Sequence, residues 1–291
     1  MPTVSIITVN YNQTAITCEL LASIKKVNYT DLEVIVVDNC SEQNPETEIK
    51  SQYPEVRFIR SPYNSGFAGG NNLGIQQATG NYLLLINNDT EITDGMIETL
   101  LAVFDKVPDA GIVCPKICYF EPPQLIQYLG YTPLNPYTLR NRTIGNLQPD
   151  NPQQYQQIMP TPYAHGAAMM LPRAIIDQVG LMPELFFLYY EELDWCEQIK
   201  RKGYGIYVEP KALIYHKESV TTGKNSVLKT YYLTRNRILF AKRNVKTSAL
   251  ALFGLFFVGI ILPKNLLLFA LHKEFGHAKA FLKGTKDALL H

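Results

Sequence analysis

Residues 80–92 read GNYLLLINNDTEI, and this stretch decides the predicted fold. The apolar run 82–86 is bounded by Gly80 on one side and by a polar cluster ending in Asp89 on the other, which is typical of a fully buried strand. Open α/β sheets bind ligands beyond the carboxyl ends of their strands, where Asp89 would lie. A carboxylate at that place suits a hard divalent cation that keeps several waters. The alternative is an Asx turn without a ligand.

Two earlier stretches have the same pattern. Residues 4–9 (VSIITV) end in Asn10, and residues 32–37 (LEVIVV) end in Asp38, with helical spacing of apolar residues between them. Such alternation predicts a parallel sheet with right-handed crossovers, so the polar strand ends should meet at one edge. A carboxylate after the second strand is a common partner of ribose hydroxyls, although a helix N-cap is the alternative for Asp38.

A glycine-rich loop follows at residues 64–74, NSGFAGGNNLG. It has neither the dinucleotide fingerprint nor the Gly-Lys-Ser/Thr of a P-loop. Its glycines let the backbone approach a ligand closely, and we expect Asn71 and Asn72 to cap a helix that runs to Ala78. A helix start beside a strand edge is a natural neighbour for a diphosphate.

Three acids stand close together in residues 191–194, EELD, after an aromatic-rich stretch. Helical spacing continues beyond them, so the acids are predicted at a helix N-terminus, where the helix dipole stabilises carboxylates. A solvated first turn would need no further explanation. As functional groups, carboxyls beside aromatic side chains and other acids would have a raised pKa, which suits a general base.

Charge is distributed unevenly along the 291 residues, whose net charge is only +1. Eleven Lys/Arg and two acids from Lys229 to the end give +9, and the preceding residues carry −8. A tail of this kind should seek an anionic surface, and we expect no nucleic-acid partner. Five scattered cysteines are typical of reduced thiols, and Met1 leads directly into a strand pattern, so we expect no signal peptide and a cytoplasmic protein.

The tail also contains a long apolar stretch. Residues 249–262 are all apolar or glycine, and residues 266–271 continue after Pro263. Fourteen helical residues span about 21 Å, less than the hydrocarbon core of about 30 Å, so we expect a bent pair of helices lying in the membrane interface. A buried core helix and a single tilted span through Leu271 are the alternatives.

Several motifs in order resemble family 2 glycosyltransferases of the GT-A fold, in particular the rhamnosyltransferase-like enzymes of bacterial surface polysaccharide assembly. The first half carries TVNYN, VVDNCS, NSGFAGGNN and LLLINNDTEI. The second half carries HGAAMMLPR, the stretch from LFFLYYEELDWC to IYHKES, and YYLTRNR. The resemblance covers roughly residues 2–244, and the ordered set is more specific than any single motif.

The resemblance implies roles for individual residues. Asp89 corresponds to the last acid of the metal-binding Asp-x-Asp element, of which Asn87 replaces the first, and His216 would be the second metal contributor. The family's general base corresponds to Glu192, with Glu191 and Asp194 as alternatives. The nucleotide is expected at Thr8, Asn10, Tyr11, Asp38, Asn39, Gly66, Gly69, Asn72 and Asn88. The acceptor or diphosphate is expected at His165, Gly166, Arg235 and Asn236.

The implied fold is α/β: a Rossmann-like, mostly parallel mixed sheet flanked by helices, with a C-terminal helical membrane-associating appendage. We expect a nucleotide-sugar-binding half at 1–122, an acceptor-binding and catalytic half at 123–245, and a membrane-associating tail at 246–291. The implied activity is an inverting transfer from a dTDP-, UDP- or GDP-sugar to a lipid-linked or saccharide acceptor, with Mg²⁺ or Mn²⁺, on the inner face of the bacterial plasma membrane.

There are two alternatives to a glycosyltransferase, of which the second fits the sequence less well. A catalytically weak module that binds nucleotide-sugars or glycan lipids would explain the single acid at Asp89. A nucleotidyltransferase would need a glycine-rich, basic N-terminal loop, whereas residues 8–14 contain neither glycine nor a basic residue.

Overall fold

One mixed sheet forms the centre of the protein. The computed structural model describes residues 1–151, 153–217 and 226–290. The strands of the described residues are β1 (Val4–Asn10), β2 (Leu32–Asp38), β3 (Arg57–Arg60), β4 (Tyr82–Ile86), β5 (Thr90–Ile92), β6 (Ala110–Tyr119), β7 (Ile126–Tyr128), β8 (Met159–Pro160), β9 (Ala168–Pro172) and β10 (Gly205–His216).

Helices cover both faces of this sheet. They are α1 (Thr14–Ile24), α2 (Glu46–Gln52), α3 (Gly66–Gln77), α4 (Met96–Lys106), α5 (Arg173–Val179), α6 (Glu191–Arg201), α7 (Val227–Asn244), α8 (Thr247–Phe256), α9 (Leu262–Leu271) and α10 (Phe275–Leu290). A short 3₁₀ turn, Glu184–Phe186, precedes α6. The five cysteines are free.

The strand order is β3-β2-β1-β4-β9-β6-β10-β5. The first four strands of this order run parallel, as the alternating pattern predicts. β9 is antiparallel to both β4 and β6, so the sheet is mixed, as the family resemblance implies. Asn10 and Asp38 are directly paired in the β1–β2 register. The polar ends of these strands therefore meet at one edge, because parallel neighbours end on the same side.

The glycine-rich helix begins earlier than predicted. α3 starts at Gly66, so Asn71 and Asn72 lie buried inside it, and the prediction that they cap it is wrong. The physical reason is close packing: a Cβ at Gly74 would lie 2.4 Å from Ile7 Cγ2, which shows that the helix needs glycine to approach β1. The spacing of the glycines thus serves helix–sheet packing along the middle of α3.

The stretch between β6 and β9, whose secondary structure the sequence pattern does not predict, is ordered mainly by strand pairing and turns. β7 pairs antiparallel with β6, and β8 pairs antiparallel with β10. Isolated bridges join Leu125 to Pro149 and Tyr131 to Thr143. This arrangement carries residues 127–131 to the edge where the parallel strands end.

The apolar tail forms one continuous helix from Thr247 to Leu271, in which the π-helical turn Phe257–Ile261 joins α8 to α9. In place of the expected bent pair of helices, the structure has one helix that is long and apolar enough to cross a membrane by length and composition. Only 17% of its most apolar window is buried against the rest of the protein. Such exposure distinguishes it from a core helix.

The last helix returns to the body of the protein. The hydroxyl of Tyr231 in α7 donates to Asp287 in α10 at 2.7 Å, and Lys242 Nζ donates to the carbonyl of Ala288 at 2.9 Å. Thr230 and His277 form a further hydrogen bond at 2.7 Å. The C-terminal part of the 246–291 tail is therefore packed on the half of the chain that carries α6 and α7.

Candidate active site

A cavity of about 550 Å³ opens where the polar strand ends meet the start of α6. This volume lies in the range of sites for small molecules and cofactors. The predicted site residues that line it are Tyr11, Asn39, Gly66, Asn88, Asp89, His165, Gly166, Glu191, Glu192 and His216. Residues from both predicted halves, separated by more than a hundred positions in sequence, thus surround one space.

Asp89 and His216 form the polar centre of one wall. His216 Nε2 lies 3.1 Å from Asp89 Oδ1, and its Nδ1 lies 2.8 Å from Gln127 Oε1. The amide oxygen that faces Nδ1 requires a proton on that nitrogen, so Nε2 is the ring nitrogen that faces the carboxylate oxygen. Two acceptors at this distance need a proton or a cation between them, and a His that donates its other N–H to an oxygen is typical of metal ligands.

The donor set fits a divalent cation that is only partly held by protein. Two neighbouring ligands of an octahedral ion with bonds of about 2.1 Å lie about 3 Å apart, close to the Asp89–His216 distance. Within residues 1–151, 153–217 and 226–290, no group of three His, Cys, Asp or Glu residues is close enough to hold a metal. An ion here would therefore complete its shell with waters and substrate oxygens, as Mg²⁺ and Mn²⁺ do.

Glu191 and Glu192 begin α6 and line the same cavity. Each has a buried carboxylate oxygen, Oε2, without a hydrogen-bond partner among the described residues. Burial raises the pKa of Glu192 to about 7, against the opposing effect of hydrogen bonds from nearby backbone groups. Burial and the neighbouring Glu192 raise the pKa of Glu191 well above its usual range. A carboxyl poised near neutral pH beside an open cavity can accept a proton from a hydroxyl group.

The segment before these acids has a strained backbone, which hydrogen bonds from α7 hold in place. Phe187, Tyr189 and Tyr190 have φ angles of 67°, 68° and 77°, a region that residues with a Cβ rarely adopt. The side-chain amide of Asn236 donates to the carbonyls of residues 186, 188 and 189 at 2.7–2.9 Å. Arg235 donates to the carbonyls of residues 185 and 186. Arg235 and Asn236 thus hold in place the backbone that positions the acids. Neither residue lines the cavity, because their side-chain donors bond to the backbone of residues 185–189.

Other predicted residues lie behind the cavity rather than on it. Asp38 accepts hydrogen bonds from Asn10 Nδ2 at 2.9 Å and from the backbone N–H of Ser41 at 3.2 Å. Asp194 is fully buried and accepts from Arg243, Asn244 and Gln198, which lowers its pKa. Together the residues that do not line the cavity are Thr8, Asn10, Asp38, Gly69, Asn72, Asp194, Arg235 and Asn236.

Asn72 shows the role of these supporting residues. Its Nδ2 donates to the carbonyl of Met182 at 2.8 Å and to Glu184 Oε1 at 2.9 Å, and its Oδ1 accepts from the N–H of Met182. These bonds fasten α3 to the segment that leads to α6. Gly66 has φ +72°, and a Cβ there would lie 2.1 Å from the carbonyl oxygen of Phe187. Glycine is therefore required where the two halves meet.

Tyr131, which the sequence patterns do not single out, lines the cavity beside the predicted His165. The ring of Tyr131 stacks on that of His165 at 6.2 Å between centroids, and Tyr128 contacts both. Burial and the neighbouring His216 lower the pKa of His165 to about 3, so His165 is neutral at physiological pH. The only signal in the sequence is the abundance of tyrosine between residues 123 and 162, which indicates ring packing without giving its place.

The last two residues of the IYHKES motif, Glu218 and Ser219, lie outside the described residues. Lys229, near the start of α7, also lines the cavity, and its ammonium lies 5.8 Å from the ring centroid of Tyr189. The cavity thus combines a cation-binding pair, two carboxyls with raised pKa, neutral aromatic surface and a lysine. These groups suit a ligand that carries both phosphate and sugar.

Comparison with solved structures agrees with the fold. The mannosyltransferase PcManGT from Pyrobaculum calidifontis, solved with GDP-Man and Mn²⁺, superposes with a TM-score of 0.61 at 14% identity, over 99% of this chain and 87% of that one. At this identity the likeness shows the fold alone. The fold is accordingly GT-A-like, α/β with a central sheet flanked by helices, as the motifs imply.

Sequence comparison is more specific. The chain is 30% identical over 240 residues to the low-salt glycan biosynthesis hexosyltransferase Agl10 of Haloferax volcanii, covering 81% of this chain and 74% of the relative. It is 24% identical to the N-acetylglucosaminyl-diphospho-decaprenol L-rhamnosyltransferase of Mycobacterium tuberculosis, covering 70% and 73%. The family model "Glycosyl transferase family 2" matches residues 5–179. This chain therefore belongs to glycosyl transferase family 2 and is a glycosyltransferase.

Proposed function

We propose that this glycosyltransferase transfers a sugar, with inversion at the anomeric carbon, from a dTDP-, UDP- or GDP-sugar to a lipid-linked or saccharide acceptor in the synthesis of a surface glycan. The observation that carries the proposal is the carboxyl of Glu192. It faces the same cavity as Asp89 and His216, has an unpaired buried oxygen, and has a pKa of about 7. A general base for a hydroxyl acceptor needs these three properties.

The reaction follows from this placement. Glu192 accepts the proton of the acceptor hydroxyl while the hydroxyl oxygen forms a bond to the anomeric carbon of the donor sugar. The bond from that carbon to the diphosphate oxygen breaks on the opposite face, and its electron pair leaves with the nucleoside diphosphate. One displacement of this kind inverts the anomeric centre. The segment braced by Arg235 and Asn236 keeps Glu192 oriented during the step.

A divalent cation held by Asp89 and His216 would neutralise the charge that develops on the leaving diphosphate. Asn88 lies beside Asp89, and its Nδ2 donates to Thr17 at 3.1 Å, which fixes the end of β4. Tyr11, Asn39 and Gly66 line the part of the cavity nearest the ends of β1 and β2, where the nucleotide is expected. His165, neutral and stacked on Tyr131, offers an apolar face to a sugar.

Relatives support the substrate classes. The Mycobacterium tuberculosis relative is named for a sugar-diphospho-decaprenol acceptor, and the Pyrobaculum calidifontis structure contains a GDP-sugar with Mn²⁺. The exposed apolar helix 247–271 and the basic tail fit a place at the cytoplasmic face of a membrane, where a lipid-linked acceptor would be presented. The same proposal includes the division of the chain into a nucleotide-sugar-binding half (1–122), an acceptor-binding and catalytic half (123–245) and a membrane-associating tail (246–291).

The test is a panel of dTDP-, UDP- and GDP-sugars with Mg²⁺ or Mn²⁺, in which thermal shift measures binding and release of nucleoside diphosphate measures transfer. We expect one donor class to stabilise the protein in a cation-dependent way and to be turned over when an acceptor is added. Cation-dependent binding without any turnover would favour the catalytically weak binding module instead, which the single carboxylate of the Asp89–His216 pair also allows. The absence of binding to every donor would contradict both functions.

A further inference from the structure

Sheet pairing fixes the backbone on both sides of the Asp89–His216 pair. Thr90, which follows Asp89, pairs antiparallel with His216 in the β5–β10 register. The N–H of Lys217 donates to the backbone carbonyl of Asp89 at 2.9 Å. These backbone contacts bring the two side chains together, but they do not decide how the imidazole ring of His216 is turned or which of its nitrogens carries the proton.

Gln127 contacts the ring nitrogen of His216 that faces away from the carboxylate. Its Oε1 lies 2.8 Å from Nδ1, and each of the two residues is only 7% exposed. The ring of His165 also lies against His216, but edge-on, with 6.1 Å between the ring centroids. Among the described residues, the hydrogen-bond partners of the His216 ring are therefore Gln127 and Asp89.

A β-bulge places Gln127 at this ring. In the β6–β7 ladder, the two residues that flank Gln127 pair with adjacent residues of β6, Ile117 and Cys118, so Gln127 is an extra residue on β7. Bulges of this kind re-aim a side chain and are frequent beside active sites. Gln127 also lines the cavity. The bulge thus leaves Gln127 out of the regular ladder, with its amide group at His216.

The acceptor at Nδ1 matters because a neutral imidazole carries one proton, on either of its two nitrogens. With the amide oxygen of Gln127 at Nδ1, the proton of the neutral ring is held there, and Nε2 keeps a lone pair for a cation. Without that oxygen, the carboxylate of Asp89, 3.1 Å from Nε2, would be the remaining acceptor among the described residues. The proton would then lie on Nε2 in a charge-assisted hydrogen bond to Asp89, and the place between the two side chains would be closed to a cation.

We propose that Gln127 is a positioning residue that holds His216 in its Nδ1–H form and so keeps the Asp89–His216 pair open for a divalent cation. This inference rests on the cation site of the proposed function. Gln127 acts through His216 and touches neither the cation nor the reacting atoms. Partners of this kind fix the ring and the tautomer of a metal-binding histidine, and their loss typically costs about 10–100-fold in metal affinity. A neutral amide does this without adding a second negative charge beside Asp89.

The experiment uses the full chain in nonionic detergent with isotope-labelled histidine. Nitrogen NMR of the metal-free protein shows which ring nitrogen of His216 carries the proton, and a spectrum of His216→Ala identifies its signals among those of the five histidines. Electron paramagnetic resonance measures the affinity for Mn²⁺ in the presence of UDP, GDP or dTDP. Gln127→Met removes the acceptor at similar volume, whereas Gln127→Glu keeps an acceptor oxygen. Gln124→Met, which replaces an exposed glutamine earlier in the same segment, is the matched control.

We expect the proton of the His216 ring on Nδ1 in the wild type, in Gln127→Glu and in Gln124→Met, and on Nε2 in Gln127→Met. The affinity for Mn²⁺ should fall about 10–100-fold in Gln127→Met and should be retained in the other two variants. A proton on Nε2 in the wild type would overturn the inference, as would wild-type Mn²⁺ affinity in Gln127→Met. Equal losses in Gln127→Met and Gln127→Glu would also overturn it, because they would show that the side chain acts by packing and not as an acceptor.

Failure of this inference is distinguishable from failure of the proposed function. A wild type that binds no Mn²⁺ with any of the three nucleotides contradicts the cation site of the proposed function, and the role of Gln127 fails with it. Mn²⁺ binding by the wild type that is insensitive to the substitutions of Gln127 contradicts only the positioning role.

Discussion

Replacing Glu192 with glutamine should remove activity and, at alkaline pH, stabilise the fold. The pKa of this carboxyl rises from 4.5 to about 7 because burial penalises its charged form. At 1.36 kcal/mol for each pH unit, ionised Glu192 costs the folded state about 3 kcal/mol. A glutamine side chain at this position cannot ionise and so avoids that cost, but it cannot accept the acceptor's proton.

The sign of the stability effect depends on pH. Below pH 4.5 the carboxyl is protonated in the folded and the unfolded chain, so the penalty is absent, and it grows as pH rises until it is complete above about 7. We therefore expect Glu192→Gln to raise the melting temperature at pH 8 by roughly 5–10 °C, and by much less at pH 5, where the gain is under about 1 kcal/mol.

The activity of the same variant should fall by about two to four orders of magnitude, with donor affinity unchanged. In the wild type, kcat/KM should rise with pH below about 7 and level off above it, because the base works only when ionised. Steady-state release of nucleoside diphosphate and differential scanning calorimetry measure the two effects.

Asp194→Asn is the matched control, since Asp194 lies in the same helical turn. Its carboxylate is paired with Arg243 at 2.9 Å and with Asn244 at 2.6 Å. This variant should lose stability while its folded fraction keeps its turnover. Full activity in Glu192→Gln, or loss of turnover confined to Asp194→Asn, would refute the assignment of the base.

Three further predictions concern the rest of the site and the tail. Asp89→Asn should weaken Mn²⁺-dependent nucleotide binding at least about tenfold in calorimetry. The control is Asp105→Asn, which replaces an exposed acid on α4 and should leave binding unchanged. Equal affinities of the two variants would exclude Asp89 as a metal ligand. Asn236→Ala should lower the free energy of unfolding by about 2 kcal/mol, because carbonyls of the strained segment lose their hydrogen-bond donor. It should also reduce kcat while the affinity for the sugar donor is unchanged. An unchanged kcat would contradict the positioning role of Asn236. The double variant Leu255→Lys and Val258→Lys should reduce flotation with anionic liposomes about a hundredfold while nucleotide binding persists; undiminished flotation would remove this face from the membrane contact.

Local sequence patterns were sufficient for the sheet and for the place of the site. The runs that end in Asn10, Asp38 and Asp89 each have strand character, and parallel strands necessarily bring their ends to one edge. The three acids at residues 191–194 begin a helix as their spacing predicts. These features depend on periodicity within a few residues, which the sequence displays directly.

The tertiary structure decided which polar residues face the cavity and which support it. The side chains of Asp38, Asp194 and Asn236 carry the same kinds of polar group as the cavity residues. Those groups are already hydrogen-bonded to residues distant in sequence. Gln127 and Tyr131 reach the site only because β7 pairs with β6. Hydrogen-bond saturation and burial depend on contacts between separate segments, and periodicity along one segment carries no information about those contacts. For that reason the sequence determined where the site lies, and the packing of the chain determined which side chains a ligand can touch.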